Sequence, residues 1–121
     1  MEEKRFSFEG LEVYKAARLL VRDVYRLQQK FPKTEIYALG DQIRRSASSV
    51  TSNIAEGMSR SSNKEVAHFL EISYGSLMEV QSQLEIAQLL NYMTKESLDE
   101  IDPKTEEIAK MLSGLKMSKL H

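Results

Sequence analysis

Apolar residues recur at steps of three and four along most of this 121-residue chain, the period of an α-helix that buries one face. At 100° per residue, Tyr14, Ala17, Leu20, Val21, Val24, Tyr25, Leu27 and Phe31 share one broad face and predict a helix over residues 8–30. Phe31-Pro32 ends it, because the residue before a proline is pushed away from helical angles. Ile36, Leu39, Ile43, Ala47, Val50 and Ile54 predict a second helix over 34–56, with Gly57 placed to leave it in the left-handed conformation. Ser62-Asn63-Lys64-Glu65 reads as a capping box that opens a third helix over 62–91. The core stripe of that helix is Val66, Phe69, Leu70, Ser73, Leu77, Val80, Leu84 and Ala87. A fourth helix, over 95–119, carries Leu98, Ile101, Thr105, Ile108, Leu112 and Leu115. Asp102-Pro103 interrupts it, since proline removes one helical hydrogen bond and crowds the preceding turn. The apolar repeat runs through unbroken, which favours a kink there over a restart.

Four amphipathic helices joined by short breaks predict an all-α protein, an antiparallel up-down-up-down four-helix bundle forming one domain over 1–121. The first few and last two or three residues are expected to fray. Five glycines and two prolines are too few for a turn-rich β-protein, and neither a GxxxxGK[ST] nor a GxGxxG pattern occurs. There is no cysteine, and His68 and His121 are the only histidines, so no zinc site is expected. Glu65-Val66-Ala67-His68 has the spacing of a di-iron half-site but stands alone where two such helices are needed, and His68 reads as a solvated helix residue. No catalytic residues and no cofactor are predicted, and the chain is expected not to be an enzyme. No apolar run is long enough to span a bilayer, and Met1-Glu2-Glu3-Lys4-Arg5 lacks the apolar stretch of a signal peptide, so a cytoplasmic location with no membrane partner is expected.

At the second helix the residues become specific. Gln42-Ile43-Arg44-Arg45-Ser46-Ala47-Ser48-Ser49-Val50, followed by Ser52-Asn53-Ile54-Ala55-Glu56-Gly57, resembles the signature of the four-helix-bundle family of 23S rRNA intervening-sequence proteins. Accessory variability proteins of diversity-generating retroelements are among that family's relatives. Leu11-Glu12-Val13-Tyr14-Lys15-Ala16, Phe31-Pro32, Glu71-Ile72-Ser73-Tyr74-Gly75-Ser76-Leu77-Met78-Glu79 and Lys110-Met111-Leu112-Ser113-Gly114-Leu115 fit the same pattern, so the resemblance covers roughly residues 6–120. It implies a bundle that assembles as a ring, a homopentamer, with no enzymatic activity and with RNA or DNA as the candidate ligand. The retroelement relatives are strongly basic and this chain is not, which weighs against tight non-specific binding of nucleic acid here.

The charge itself is unevenly spread. Seventeen Lys+Arg and eighteen Asp+Glu nearly cancel, but residues 1–60 carry +3 and residues 61–121 carry −4, and all seven arginines lie in the first half. On the first helix Lys15, Arg18, Arg22, Arg26 and Lys30 recur at steps of three or four, opposite the apolar face. They form a cationic line about 20 Å long, at 1.5 Å rise per residue. Such a line can follow phosphates, to which Arg bonds bidentately; the alternative is the solvated outer face that any amphipathic helix needs. Repetition around a ring would raise the local field, and the absence of interleaved aromatics argues against base stacking. Arg44, Arg45, Arg60 and Lys64 are secondary phosphate candidates, with ion pairing to nearby acids as the alternative; Arg44 lies near the apolar stripe.

Two further groups suggest contacts. Gln42, Ser46, Ser49, Asn53 and Glu56 make a small, polar seam beside the apolar stripe of the second helix. Asn53 and Glu56 are expected to tie the end of that helix to the start of the third, or to a neighbouring subunit. On the third helix Ala67, Tyr74, Met78, Ile86 and Leu89 lie off the core stripe, as does Leu19 on the first. Exposed apolar residues of this number point to self-association or to a protein partner. Two roles follow: a non-catalytic oligomeric bundle that binds structured RNA or DNA, or a protein-interaction scaffold with no nucleic-acid role.

Overall fold

Side chains at helical spacing from four long segments meet in one interior. In the computed structural model, which describes residues 5–121, these segments are α1 (Glu12–Gln28), α2 (Leu39–Gly57), α3 (Asn63–Leu89) and α4 (Lys95–Leu120), and no strand is present among the described residues. Val13, Ala17, Leu20 and Val24 of α1 face Ile43, Ala47, Val50 and Ile54 of α2; Leu70, Leu77, Val80 and Leu84 of α3 and Leu98, Ile101, Ile108 and Leu112 of α4 close the core. Each helix packs on its two neighbours, α1 on α2 and α4, and α3 on α2 and α4. The result is the antiparallel four-helix bundle that the periodicity predicts, with α1 and α3 at diagonal corners. Fraying of positions 1–4 falls outside the described residues, and α4 stays helical to Leu120.

The α2–α3 contact is the most extensive in the molecule. Three pairs run along it in opposite senses: Ser49 Oγ lies 2.8 Å from Ser76 Oγ, the Ser73 hydroxyl donates to the Val50 carbonyl at 2.8 Å, and Gly57 meets Phe69. Gly57 is therefore not a left-handed cap. It is the last residue of α2, buried, and no glycine among the described residues has positive φ. A Cβ there would lie 2.8 Å from the Phe69 Cβ, so what glycine supplies is closeness of approach. The left-handed residue of this fold is Asn91, at φ 63°. With Tyr92 N–H bonded to the Ala87 carbonyl and Asn91 N–H to that of Gln88, it ends α3 in a Schellman motif.

The expected helix bounds move at three places, one of them the end of α1 at Gln28, which leaves Lys30 in the turn beyond it. The predicted helix over 8–30 breaks at Leu11, which is extended, and Ser7–Gly10 forms a separate 3-10 turn. In a continuous helix positions 8 and 14 would lie well around the barrel from each other; the break lets the Phe8 ring meet Tyr14 edge-on at 4.8 Å. The predicted helix over 34–56 is divided as well. A one-turn helix, Lys33–Ile36, is followed by a sharp bend at Tyr37–Ala38 before α2 starts. Ile36 and Leu39 keep their three-residue spacing across the bend, so periodicity alone does not reveal it. Gly40 makes it possible, because a Cβ there would stand 3.2 Å from the Glu35 carbonyl and 3.0 Å from Gln28 Oε1. By contrast α4 runs without a restart through Pro103.

Capping follows side-chain chemistry at both later helix starts. The Glu65 amide donates to Ser62 Oγ at 3.1 Å and the Ser62 hydroxyl donates to the Glu65 carboxylate at 3.0 Å. Thr94 caps α4 through the Ser97 amide at 3.1 Å. Of the positions placed off the core, Ala67 is in fact buried.

Glycine substitutions should separate by sign. Gly57→Ala should destabilise the fold by about 1–3 kcal/mol through overpacking against Phe69. Gly75→Ala and Gly114→Ala, which meet open space in mid-helix, should each stabilise it by about 0.5–1 kcal/mol. Urea unfolding midpoints of the three variants measure this.

Candidate nucleic-acid interface

Burial of the α1 apolar stripe turns the opposite side of the helix outward; Lys15, Arg18, Arg22 and Arg26 are exposed there, and Lys30 is exposed in the turn that follows α1. They are not equally free. Lys15 reaches Glu12 at 3.5 Å, and the Arg18 guanidinium sits over the Tyr14 ring, 5.9 Å from its centroid. Arg22 pairs with Asp23 at 3.4 Å. Arg26 and Lys30 have no acidic partner within 4 Å among the described residues. Asp23 is a bridge that helical periodicity does not disclose: its carboxylate, 14% exposed, also receives Lys104 of α4 at 2.6 Å. Lys104 thus joins the basic face from another helix, which spacing along α1 could not have signalled.

A shallow cleft runs between α1 and α4 at this point, with Arg26, Lys30 and Lys104 on its rim, Leu27 and Ile101 in its floor and Glu100 facing it. It continues around the end of the bundle past Lys30 and Ser97 to Asn91, Tyr92 and Lys95. A hydrogen bond to Asp99 and its negative charge raise the Lys95 ammonium above its ordinary value, so that side chain remains a cation. Burial, then hydrogen bonding to Glu35, raises the Tyr92 phenol.

The secondary cations divide differently from the expectation. Arg44 is a structural residue, its side chain only 17% exposed. It donates to Gln28 Oε1, pairs with Asp41 at 3.4 Å and lies over the Tyr25 ring. Gln28 in turn donates to the Tyr25 carbonyl at 3.0 Å, so the group locks the end of α1 to the start of α2. A guanidinium used in this way is not free for phosphate. Arg45 is exposed and pairs with Asp41 at 3.1 Å. Arg60 pairs with Glu56 at 2.6 Å and covers the Phe69 ring at 4.7 Å. Lys64 is exposed on α3, away from α1.

The polar seam lies mostly inside the bundle. Ser46 is buried and Ser49 meets Ser76, whereas Gln42 is exposed. Asn53 and Glu56 do not tie α2 to the start of α3. The Asn53 amide donates back to the Ser49 carbonyl and hydroxyl at 2.8 and 3.0 Å, and Glu56 meets Arg60 in the following turn. Each finds a partner within four residues along the chain. Tyr74, Met78, Ile86 and Leu89 are exposed along α3, joined by Ile72; Leu19 is exposed on α1. His68 is exposed, its ring edge-on to Phe69, and Glu65 is occupied by the cap. Among the described residues no group of three or more His, Cys, Asp or Glu side chains could hold a metal ion, and no helix is long and apolar enough to cross a membrane.

The model of the family described as 23S rRNA-intervening sequence protein matches residues 9–114. The chain belongs to that family. Among solved structures similar to this family member is the crystal structure of a protein with unknown function from the S23 ribosomal protein family of Bacteroides thetaiotaomicron VPI-5482. It is 22% identical over 86% of this chain and 97% of that one, with a TM-score of 0.77, a likeness of fold. No curated protein matches the chain.

In this 23S rRNA-intervening sequence family member, Arg44→Ala should cost about 1–3 kcal/mol, because it leaves the buried Gln28 oxygen without a donor. Arg45→Ala should stay within about 0.5 kcal/mol of the parent, as an exposed surface change does. Thermal or urea unfolding of the two variants provides the comparison.

Proposed function

We propose that this protein is a non-catalytic bundle that associates with itself and binds structured RNA or DNA through the outer face of α1. One observation carries the reading. Arg18, Arg22 and Arg26 follow one another at four-residue steps on one exposed face of α1, and Lys30 continues the spacing into the turn beyond it. Like charges at that spacing destabilise a helix by about 0.2–0.5 kcal/mol per pair. A face selected only for solubility is better served by alternating signs, as on α2 and α4, where Asp41–Arg45 and Lys95–Asp99 pair within their own helices. A line of like charges whose last two members, Arg26 and Lys30, have no acidic partner within 4 Å among the described residues is stabilised by a polyanion, and arginine suits phosphate geometry. The near-neutral net charge, −1, makes the attraction local to this corner of the bundle.

A second reading rests on α3. Ile72, Tyr74, Met78, Ile86 and Leu89 are exposed on that helix, more large apolar surface than a solitary bundle needs. A further copy of the chain or another protein would cover it. Recovery of a protein partner after nuclease treatment would favour a scaffold role without nucleic acid.

Titration of a structured RNA and a duplex DNA at several salt concentrations tests the main reading. Binding should weaken steeply with salt, and the Arg18→Ala, Arg22→Ala, Arg26→Ala triple variant should lower the slope of log affinity against log salt by about one per lost phosphate contact. Alanine is a good helix former, so the variant should fold. An unchanged slope would remove α1 from the interface.

A further inference from the structure

We infer that the α1–α4 cleft is a phosphate-binding site, with Arg26, Lys30 and Lys104 as its ligating cations. The inference deepens the nucleic-acid reading and rests on it for the polymeric form of the ligand. It differs in where the contact is made, since the α1 cations are ranked by what already engages them. Lys15 is drawn to Glu12, Arg18 to the Tyr14 ring and Arg22 to Asp23, so the N-terminal part of the line is partly compensated. Arg26 and Lys30 have no acidic partner within 4 Å among the described residues. They are also the two that border a concavity, and there a second helix adds Lys104.

The cleft has the parts that a phosphate needs. Arg26 of α1, Lys30 of the turn that follows it and Lys104 of α4 border it above a floor of Leu27 and Ile101, and Lys104 shares its charge with Asp23. Ser97 offers a hydroxyl at the point where the cleft turns the end of the bundle, and Lys30 borders both arms. A chain of phosphates could therefore pass from Arg26 and Lys104, by Lys30, toward Lys95. Three carboxylates oppose this, among them Asp99, which holds Lys95. Asp23 is already held by Lys104 and Arg22, which leaves it largely compensated. Glu100 is exposed on the rim and has no cation within 4 Å among the described residues. It is the group that limits affinity for an anion here.

Single substitutions read out by salt-dependent binding of a structured RNA test the assignment, with inorganic pyrophosphate as a second probe followed by amide shifts of residues 26–30 and 97–104. Lys30→Ala and Lys104→Ala should each lower the salt slope by about one, while Lys15→Ala and Arg18→Ala leave it near the parent value. Glu100→Gln, a surface change that leaves every ion pair of the fold in place, should tighten binding of both probes. If Lys15→Ala and Arg18→Ala lower the slope as much as Lys30→Ala and Lys104→Ala, and Glu100→Gln changes nothing, phosphates run along the outer face; the cleft assignment then falls and the nucleic-acid reading stands. If RNA does not bind but pyrophosphate shifts the cleft amides, and does so more strongly with Glu100→Gln, the cleft is a site for small phosphates and the nucleic-acid reading falls. If neither probe binds, both are overturned.

Discussion

The close approach of α2 and α3 is the constraint on which the rest of the bundle depends. Gly57 against Phe69 sets the distance at one end, and the Ser49–Ser76 and Ser73–Val50 hydrogen bonds hold the helices together farther along. Small side chains let the backbones approach, and their hydroxyls supply partners for polar atoms that burial would otherwise strand. Because the contacts are polar and directional, they fix the sliding register more sharply than an apolar stripe of equivalent residues. Once α2 and α3 are in register, the Schellman turn at Asn91 returns α4 along α3, and α1 is left to fill the remaining corner.

The surface chemistry follows from that placement. The C-terminal end of α1 is clamped to α2 by Arg44 and Gln28, and α1 is bridged to α4 by Asp23 and Lys104. Both clamps take one charged residue out of the apparent pool and redistribute the rest. Arg44, largely buried, leaves the set of cations available to a ligand, and the half-exposed Lys104 adds a cation beside it while holding Asp23. The basic face is therefore shorter than the line of arginines and lysines suggests, and it is widest where α4 contributes. An i, i+4 series of like charges is tolerated because tertiary packing on α2 and α4, and not intrinsic helix propensity, keeps α1 helical.

Periodicity was enough to determine the helical class, the four long amphipathic segments, the apolar stripes and the outward direction of the α1 cations, because those depend on 3.6 residues per turn and on which side chains avoid water. The Ser62–Glu65 cap was legible for a similar reason: its partners lie three residues apart. What the pattern missed are features made between segments or at single backbone torsions. The bend at Tyr37–Ala38 is invisible to a repeat that continues through it. Gly57 could as well be a turn residue as a contact residue until Phe69 is seen beside it. Asn53 and Glu56 resembled cross-helix ties and proved to be satisfied locally. Arg44 lies near the apolar stripe in sequence, but only Gln28 and Tyr25 of α1, beside it in space, make it a structural clamp. Local spacing governs what a helix presents. Which of those groups is consumed internally, and which is joined by a neighbour such as Lys104, is decided by tertiary contact, because Coulomb and hydrogen-bond partners are set by distance in space and not along the chain.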